Sequence, residues 1–221
     1  VSRRWVEDYV ATHGGSTPTP PAPTPLNITS FTGGGVYEIG TVVNPVNLAW
    51  TYNYDPNTSQ GIDQGIGSLP LLDRSYVFTT PISSSTTFTL SATDSVHGSD
   101  SDNEVVAFVN RRYYGTFVAD ALLTSSDVVA LTSELVDSRV KSFVTFPCSG
   151  NRFVFAYPKR LGLAAVTDGS NNVYQDFYDG DDEGSTVPYE VNVTNTNGYT
   201  EAYYVYQSTN RYYGSPTFHF N

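Results

Sequence analysis

The sequence predicts an all-β protein: two tandem antiparallel β-sandwiches after a short N-terminal helix and a proline-rich linker. Composition is the first reason. Its 221 residues include 17 Tyr and 12 Phe, with 18 Gly and 13 Pro. Aromatic and β-branched side chains suit a pleated, half-buried surface, and Gly and Pro punctuate it with turns. The second reason is alternation of apolar and polar residues in short runs bounded by turn residues. The third is that helical spacing is confined to two brief stretches.

The first stretch lies in residues 1–15. Trp5 and Tyr9 are four apart, as are Val6 and Val10, and Gly14 and Gly15 stop the pattern. A helix this short is marginal alone in water. Trp5, Val6, Tyr9 and Val10 are therefore expected to make an assembly contact, with copies of the chain or with a preceding segment. Residues 1–15 read as the end of a stalk or attachment segment. Residues 16–25 carry five prolines in ten positions. They read as an extended spacer of roughly 30 Å, at about 3.1 Å per residue.

Residues 26–109 carry the pattern of an immunoglobulin-like sandwich. Val42, Val46, Leu48, Trp50 and Tyr52 share one parity, and Phe88, Leu90 and Ala92 share another run. Tyr76 and Phe78 mark a further strand, and residues 104–109 the last. Gly33 to Gly35, Asp55 to Asn57, Gly65 to Gly67 and the polar run 94–103 read as turns. About seven short strands with an inward Trp50 suit an immunoglobulin-like sandwich without its disulfide, since Cys148 is the sole cysteine.

Residues 110–221 read as a second sandwich. Thr124 and Asp127 resemble a capping box before Val128, Val129 and Leu131, which places a short helix there. Strands are expected at 140–146, 152–157, 163–167, 173–178, 189–193, 201–206 and 216–220. Asn197 and Gly198 signal a tight turn between two of them. Arg112, Tyr113, Tyr114 and Gly115 recur as Arg211, Tyr212, Tyr213 and Gly214. First and last strands lying side by side would explain the echo as cross-strand packing. The functional alternative is an exposed surface of Tyr113, Tyr114, Tyr212 and Tyr213 for sugar or protein recognition.

The formal net charge is −11, which argues against nucleic acid or an anionic membrane as partner, since both require a basic footprint. No apolar run approaches the roughly 18 residues of a membrane span, so no membrane insertion is expected. Residues 1–15 lack the apolar core of a signal peptide. The chain contains no Met, which reads as a processed product or a piece of a longer chain. His13, His97 and His219 have no ligand spacing, and Cys148 has no His near it in sequence, so no catalytic residue is assigned. Asp176, Asp179, Asp181, Asp182 and Glu183 form an acidic loop and are the candidate calcium ligands, without EF-hand spacing. No other cofactor is implied. The same carboxylates would have to flank a cleft for a glycoside hydrolase, a reading held third.

The segment Arg3 to Val10 resembles the Trp-containing helices that close repeats in phage fibre proteins. Five further pieces, Asn27 to Phe31, Arg112 to Gly115, Leu122 to Asp127, Arg152 to Pro158 and Thr194 to Tyr206, resemble in order the motifs of phage and prophage fibre-type structural proteins. That resemblance implies a virion surface component, a homotrimer contacting other virion proteins, that projects its modules as part of a tail or head fibre. It implies contact with a host-surface glycan or protein and no enzymatic activity. A carbohydrate-binding adhesin module is the alternative.

Overall fold

In the computed structural model, residues 21–178 and 185–221 are described, together with Glu7. Trp5, Val6, Tyr9, Val10, His13, most of the linker, and Asp179, Asp181, Asp182 and Glu183 lie outside the described residues. The fold is nearly all β, with one short α-helix among the described residues. Two compact units form. One comprises described residues up to Thr32 with Leu48–Tyr76 and Phe88–Glu104; the other comprises Gly33–Asn47, Val77–Thr87 and Val105–Asn221. Residues 109 and 110 lie at the end of one strand and before the start of the next, and residues 33–47, 77–87 and 105–109 group with the C-terminal residues by compactness.

Eight strands precede residue 110: β1 (Ile28–Thr32), β2 (Gly35–Glu38), β3 (Val46–Tyr52), β4 (Ser59–Ile62), β5 (Gly67–Ser68), β6 (Ser75–Phe78), β7 (Thr86–Asp94) and β8 (Gly98–Val109). Their orders are β1-β3-β6 and β2-β8-β7-β4-β5. A first strand divided between two sheets, its second half parallel to the last strand, is immunoglobulin-like topology. Val46, Leu48 and Trp50 point inward as the parity requires, whereas Val42 precedes the strand and is exposed. The polar run at 94–103 is mostly strand rather than turn. Asp94 closes the turn in three residues by accepting the backbone N–H groups of Val96 and His97 at 2.8 and 2.9 Å, so β8 begins at Gly98.

Within the first unit Trp50 packs edge-on against Phe31, with ring centroids 6.4 Å apart. Its indole N–H reaches from β3 to the Gln60 Oε1 on β4 at 3.2 Å, and the Tyr52 hydroxyl donates to the same oxygen at 2.9 Å. The Gln60 Nε2 donates to the carbonyls of Pro70 and Asp73. One buried amide thus satisfies two donors and two acceptors. It links one sheet to the other, from β3 to β4.

The second unit contains β9 (Arg111–Phe117), α1 (Ser125–Val129), β10 (Thr132–Leu135), β11 (Lys141–Phe143), β12 (Asn151–Pro158), β13 (Val166–Asp168), β14 (Tyr189–Thr194), β15 (Thr200–Tyr212) and β16 (Phe218–Phe220). A five-stranded sheet runs β10-β9-β12-β15-β14 and a three-stranded sheet runs β11-β16-β13. Phe153, Phe155 and Tyr157 of β12 face an aromatic core with Phe143, Tyr206, Phe218 and Phe220. Phe153 stacks on Phe218 at 4.3 Å, and Phe155 meets Phe220 at 4.6 Å. Val154 and Ala156 face a second core with Tyr113, Val128, Tyr189 and Val205. The Tyr157 and Tyr206 hydroxyls satisfy the buried Ala164 N–H at 2.9 and 3.0 Å.

Helix α1 begins as the capping box predicts: Thr124 accepts from the Asp127 N–H, and the Asp127 carboxylate accepts from the Thr124 N–H at 2.8 Å. Strand β10 was not expected. Residues 173–178 form isolated bridges rather than a strand, and the run at 140–146 shortens to Lys141–Phe143. The echo strands do not lie side by side, because β12 separates β9 from β15. The predicted turn joins β14 to β15, with Gly198 at φ +80° and its N–H on the Asn195 carbonyl. This hairpin loop is also anchored within its unit. The side-chain amide of Asn195 donates to the Ile39 carbonyl at 2.7 Å and that of Asn197 to the Thr41 hydroxyl at 3.0 Å.

Replacing Gln60 by Leu keeps the volume but strands the indole N–H and the Pro70 carbonyl. Denaturant unfolding should show a loss of about 2–3 kcal/mol, the cost of orphaned buried polar groups.

Candidate functional surface

The repeated Arg/Tyr motif sits on two strands that flank β12, and each copy builds a brace. In the first, Arg112 on β9 lies opposite Glu134 on β10. The guanidinium donates to the Glu134 Oε2 at 2.8 Å and to the Val140 carbonyl at 2.7 Å. Lys141 donates to the other Glu134 oxygen at 2.6 Å, and its ammonium lies 4.3 Å from the centre of the Tyr114 ring. Burial raises the Glu134 pKa, but Lys141 and Arg112 outweigh it and hold the carboxyl below its ordinary value. Tyr114 donates to the same carboxylate at 3.2 Å. This copy therefore ties β9, β10 and β11 together.

In the second copy, Arg211 and Arg152 converge on Asp120. Arg152 donates to the Asp120 Oδ1 at 2.8 Å and Arg211 to the same oxygen at 2.9 Å. Arg152 also donates to the Ser208 carbonyl at 3.0 Å and lies 5.0 Å from the Tyr178 ring centre. Hydrogen bonds from Arg152 and then Arg211 hold the Asp120 pKa low. Tyr212 shares a hydroxyl–hydroxyl hydrogen bond with Tyr174 and packs edge-on against Phe218 at 5.8 Å.

The four tyrosines thus separate. Tyr113 is 2% exposed and is no surface residue: the pleat turns it inward against Tyr203, and burial pushes its hydroxyl up to about 12. Tyr114 and Tyr212 are half-buried. Tyr213 is 89% exposed, with one ring edge near Gly150, whose φ of +82° disfavours a side chain and where a Cβ would come within 3.2 Å of that ring. Asp120 and Glu134, the acids on which both braces close, carried no sequence signal, because their arginine partners are 22 to 91 residues away.

The remaining candidates are dispersed. Among the described residues no group of three or more His, Cys, Asp or Glu is placed to hold a metal ion. Asp176 accepts from the Asn210 side chain at 3.3 Å. His97 contacts the Asp94 carboxylate at 3.0 Å and stacks on Tyr54, while His219 bonds the Ser142 hydroxyl at 2.9 Å. Cys148 is fully buried and its thiol is pushed up to about 11, so it is protonated at neutral pH. An open groove of about 480 Å³ in the first unit is lined by Ser59, Gly61, Asp63, Thr89 and Ser91. Another of about 560 Å³ runs beside α1 in the second unit. No helix among the described residues is long and apolar enough to cross a membrane. No protein-family profile, curated protein or solved structure matches this chain.

The bound carboxylates give stability a definite pH dependence. Asp94 and Asp120 are both held below the ordinary carboxylate value, by the Val96 and His97 N–H groups and by Arg152 and Arg211 respectively. Their contribution is complete above the unfolded value of about 3.9 and is lost as pH falls through the folded values. Unfolding followed from pH 7 to pH 2 should steepen below about pH 4, and Asp120→Asn should flatten part of that acid limb.

Proposed function

We propose that the chain is a non-catalytic structural subunit of a bacteriophage virion appendage, a tail or head fibre, exposed on the virion surface. The observation that carries the reading is a proline-rich segment running directly into successive β modules. The polar side chains of the Glu134 and Asp120 clusters brace neighbouring strands. In this reading Trp5, Val6, Tyr9 and Val10 assemble a homotrimer, other virion proteins anchor it, and the modules project toward a host-surface glycan or protein. No cofactor is required, although the acidic loop beginning at Asp176 could take up calcium without altering the role. Two measurements test this: light scattering of the purified chain, and gold-labelled antibody against it on intact phage particles. A trimer and labelled appendages are expected. A stable monomer, with no label on any particle, overturns the reading.

One observation favours the adhesin alternative. Tyr213 offers an almost wholly solvent-exposed ring, and an open aromatic face can stack on a sugar. If it does, glycan-array signals of the intact chain should disappear in Tyr213→Ala while the unfolding midpoint stays within about 0.5 kcal/mol, as surface substitutions do.

A further inference from the structure

The geometry points to a shear clamp at β2 and β8 that makes residues 26–109 resist tension along the chain. Among the strand pairings described, that of β2 with β8 is parallel and the others are antiparallel. Its register is Gly35 with Val106, Val36 with Ala107, Tyr37 with Phe108 and Glu38 with Val109. The ladder is extended by the Ile39 N–H on the Val109 carbonyl at 3.0 Å.

The direction of loading follows from chain order. Tension from the N-terminal side first meets β1 and its antiparallel pairing with β3, and once β1 is released it reaches β2 at Gly35 and draws it toward that side. Tension from the C-terminal side reaches β8 at Val109 and draws it the opposite way. In a parallel pair these pulls act along the strands, across the hydrogen bonds, so all the bonds of the ladder must yield together. A hairpin such as β14 with β15, pulled by its two open ends, yields one pair at a time. Forced unfolding is governed by the barrier out of the native state, so this difference in loading sets the resistance rather than the equilibrium stability.

Side chains reinforce the same contact at its loaded end. The Tyr37 and Phe108 rings lie 5.9 Å apart across the ladder. Glu38, the last residue of β2, accepts from the Arg111 Nε at 3.1 Å, and its side chain is only 10% exposed. Arg111 lies two residues beyond the end of β8, so the ion pair also spans the line of shear. Where the linker meets the first unit, the Asn53 side chain binds the Asn27 N–H at 2.7 Å and the Pro25 carbonyl at 2.9 Å, and the Leu26 N–H meets the His97 carbonyl at 2.8 Å.

This inference is independent of the virion assignment and survives or fails by itself. Single-molecule pulling of the full chain tests it in two geometries. In the first, handles are placed at the two termini, which loads the clamp in shear. In the second, they are placed at the N-terminus and at Val96→Cys. Val96 is exposed, the native Cys148 is fully buried, and residues 26 and 97 are hydrogen-bonded neighbours, so this arrangement peels the module open. The termini geometry should give the higher force peak for release of residues 26–109, and Glu38→Gln should lower that peak while leaving the peeling force unchanged. Equal peaks in the two geometries, or a Glu38→Gln effect of the same size in both, would overturn the clamp.

Discussion

Strand β12 has no wet face, and the second unit is arranged around that constraint. Each residue from Arg152 to Pro158 is buried, so its two parities must meet two different covers. The ring side is closed by the three-stranded sheet and the small side by α1 with its preceding loop. Aromatic pairs contribute about 0.5–1.5 kcal/mol each beyond their area. Removing a ring such as Phe155 would forfeit several at once, with a cavity in addition. The polar groups that follow the rings inward are satisfied locally, as the Tyr157 and Tyr206 hydroxyls are at Ala164.

The first unit meets the same need with less material. Among its described residues the Phe31–Trp50 pair is joined by one amide on Gln60 at the central position, and the single cysteine of the chain excludes a disulfide. Buried polar groups of this kind are exacting: fully satisfied, they fix one register, and half satisfied, they cost more than they contribute. Arg152 plays a related part in the second unit, where its nearly buried side chain is held by Asp120, the Ser208 carbonyl and the Tyr178 ring.

Much of the architecture was legible because it is written in local periods. The inward parity of Val46, Leu48 and Trp50, the Thr124–Asp127 cap and the turn at Gly198 each depend on residues a few positions apart. What escaped depends on distance. Glu134 looks like any surface acid until β10 brings it opposite Arg112, and without that pairing nothing marks 132–135 as a strand. The run at 94–103 reads as a loop because its Ser and Asp residues suit turns, yet the pleat accepts them in β8 as hydrophilic positions. The echo was legible as a repeat, but its geometry was not, because the strand between its copies comes from the middle of the domain. Of the candidate surface, the pleat of β9 places Tyr113 inward against the expected exposure, whereas the exposure of Tyr213 follows from the strand ending one residue earlier.

The loop between β14 and β15 has a different kind of consequence. Tips of hairpins are ordinarily where sequences drift and where tags or whole domains can be spliced in without harm. This tip is spoken for: its two asparagine amides hold Ile39 and Thr41, and the β-carbons of Asn197 and Tyr199 stand 3.0 Å from where a Cβ on Gly40 would lie. Gly40, Asn195 and Asn197 therefore form a single packing unit, in which a side chain added at 40 or an amide lost at 195 or 197 disturbs the same contact. Divergence and grafting alike are steered away from 195–199 and toward the open stretch around Tyr213.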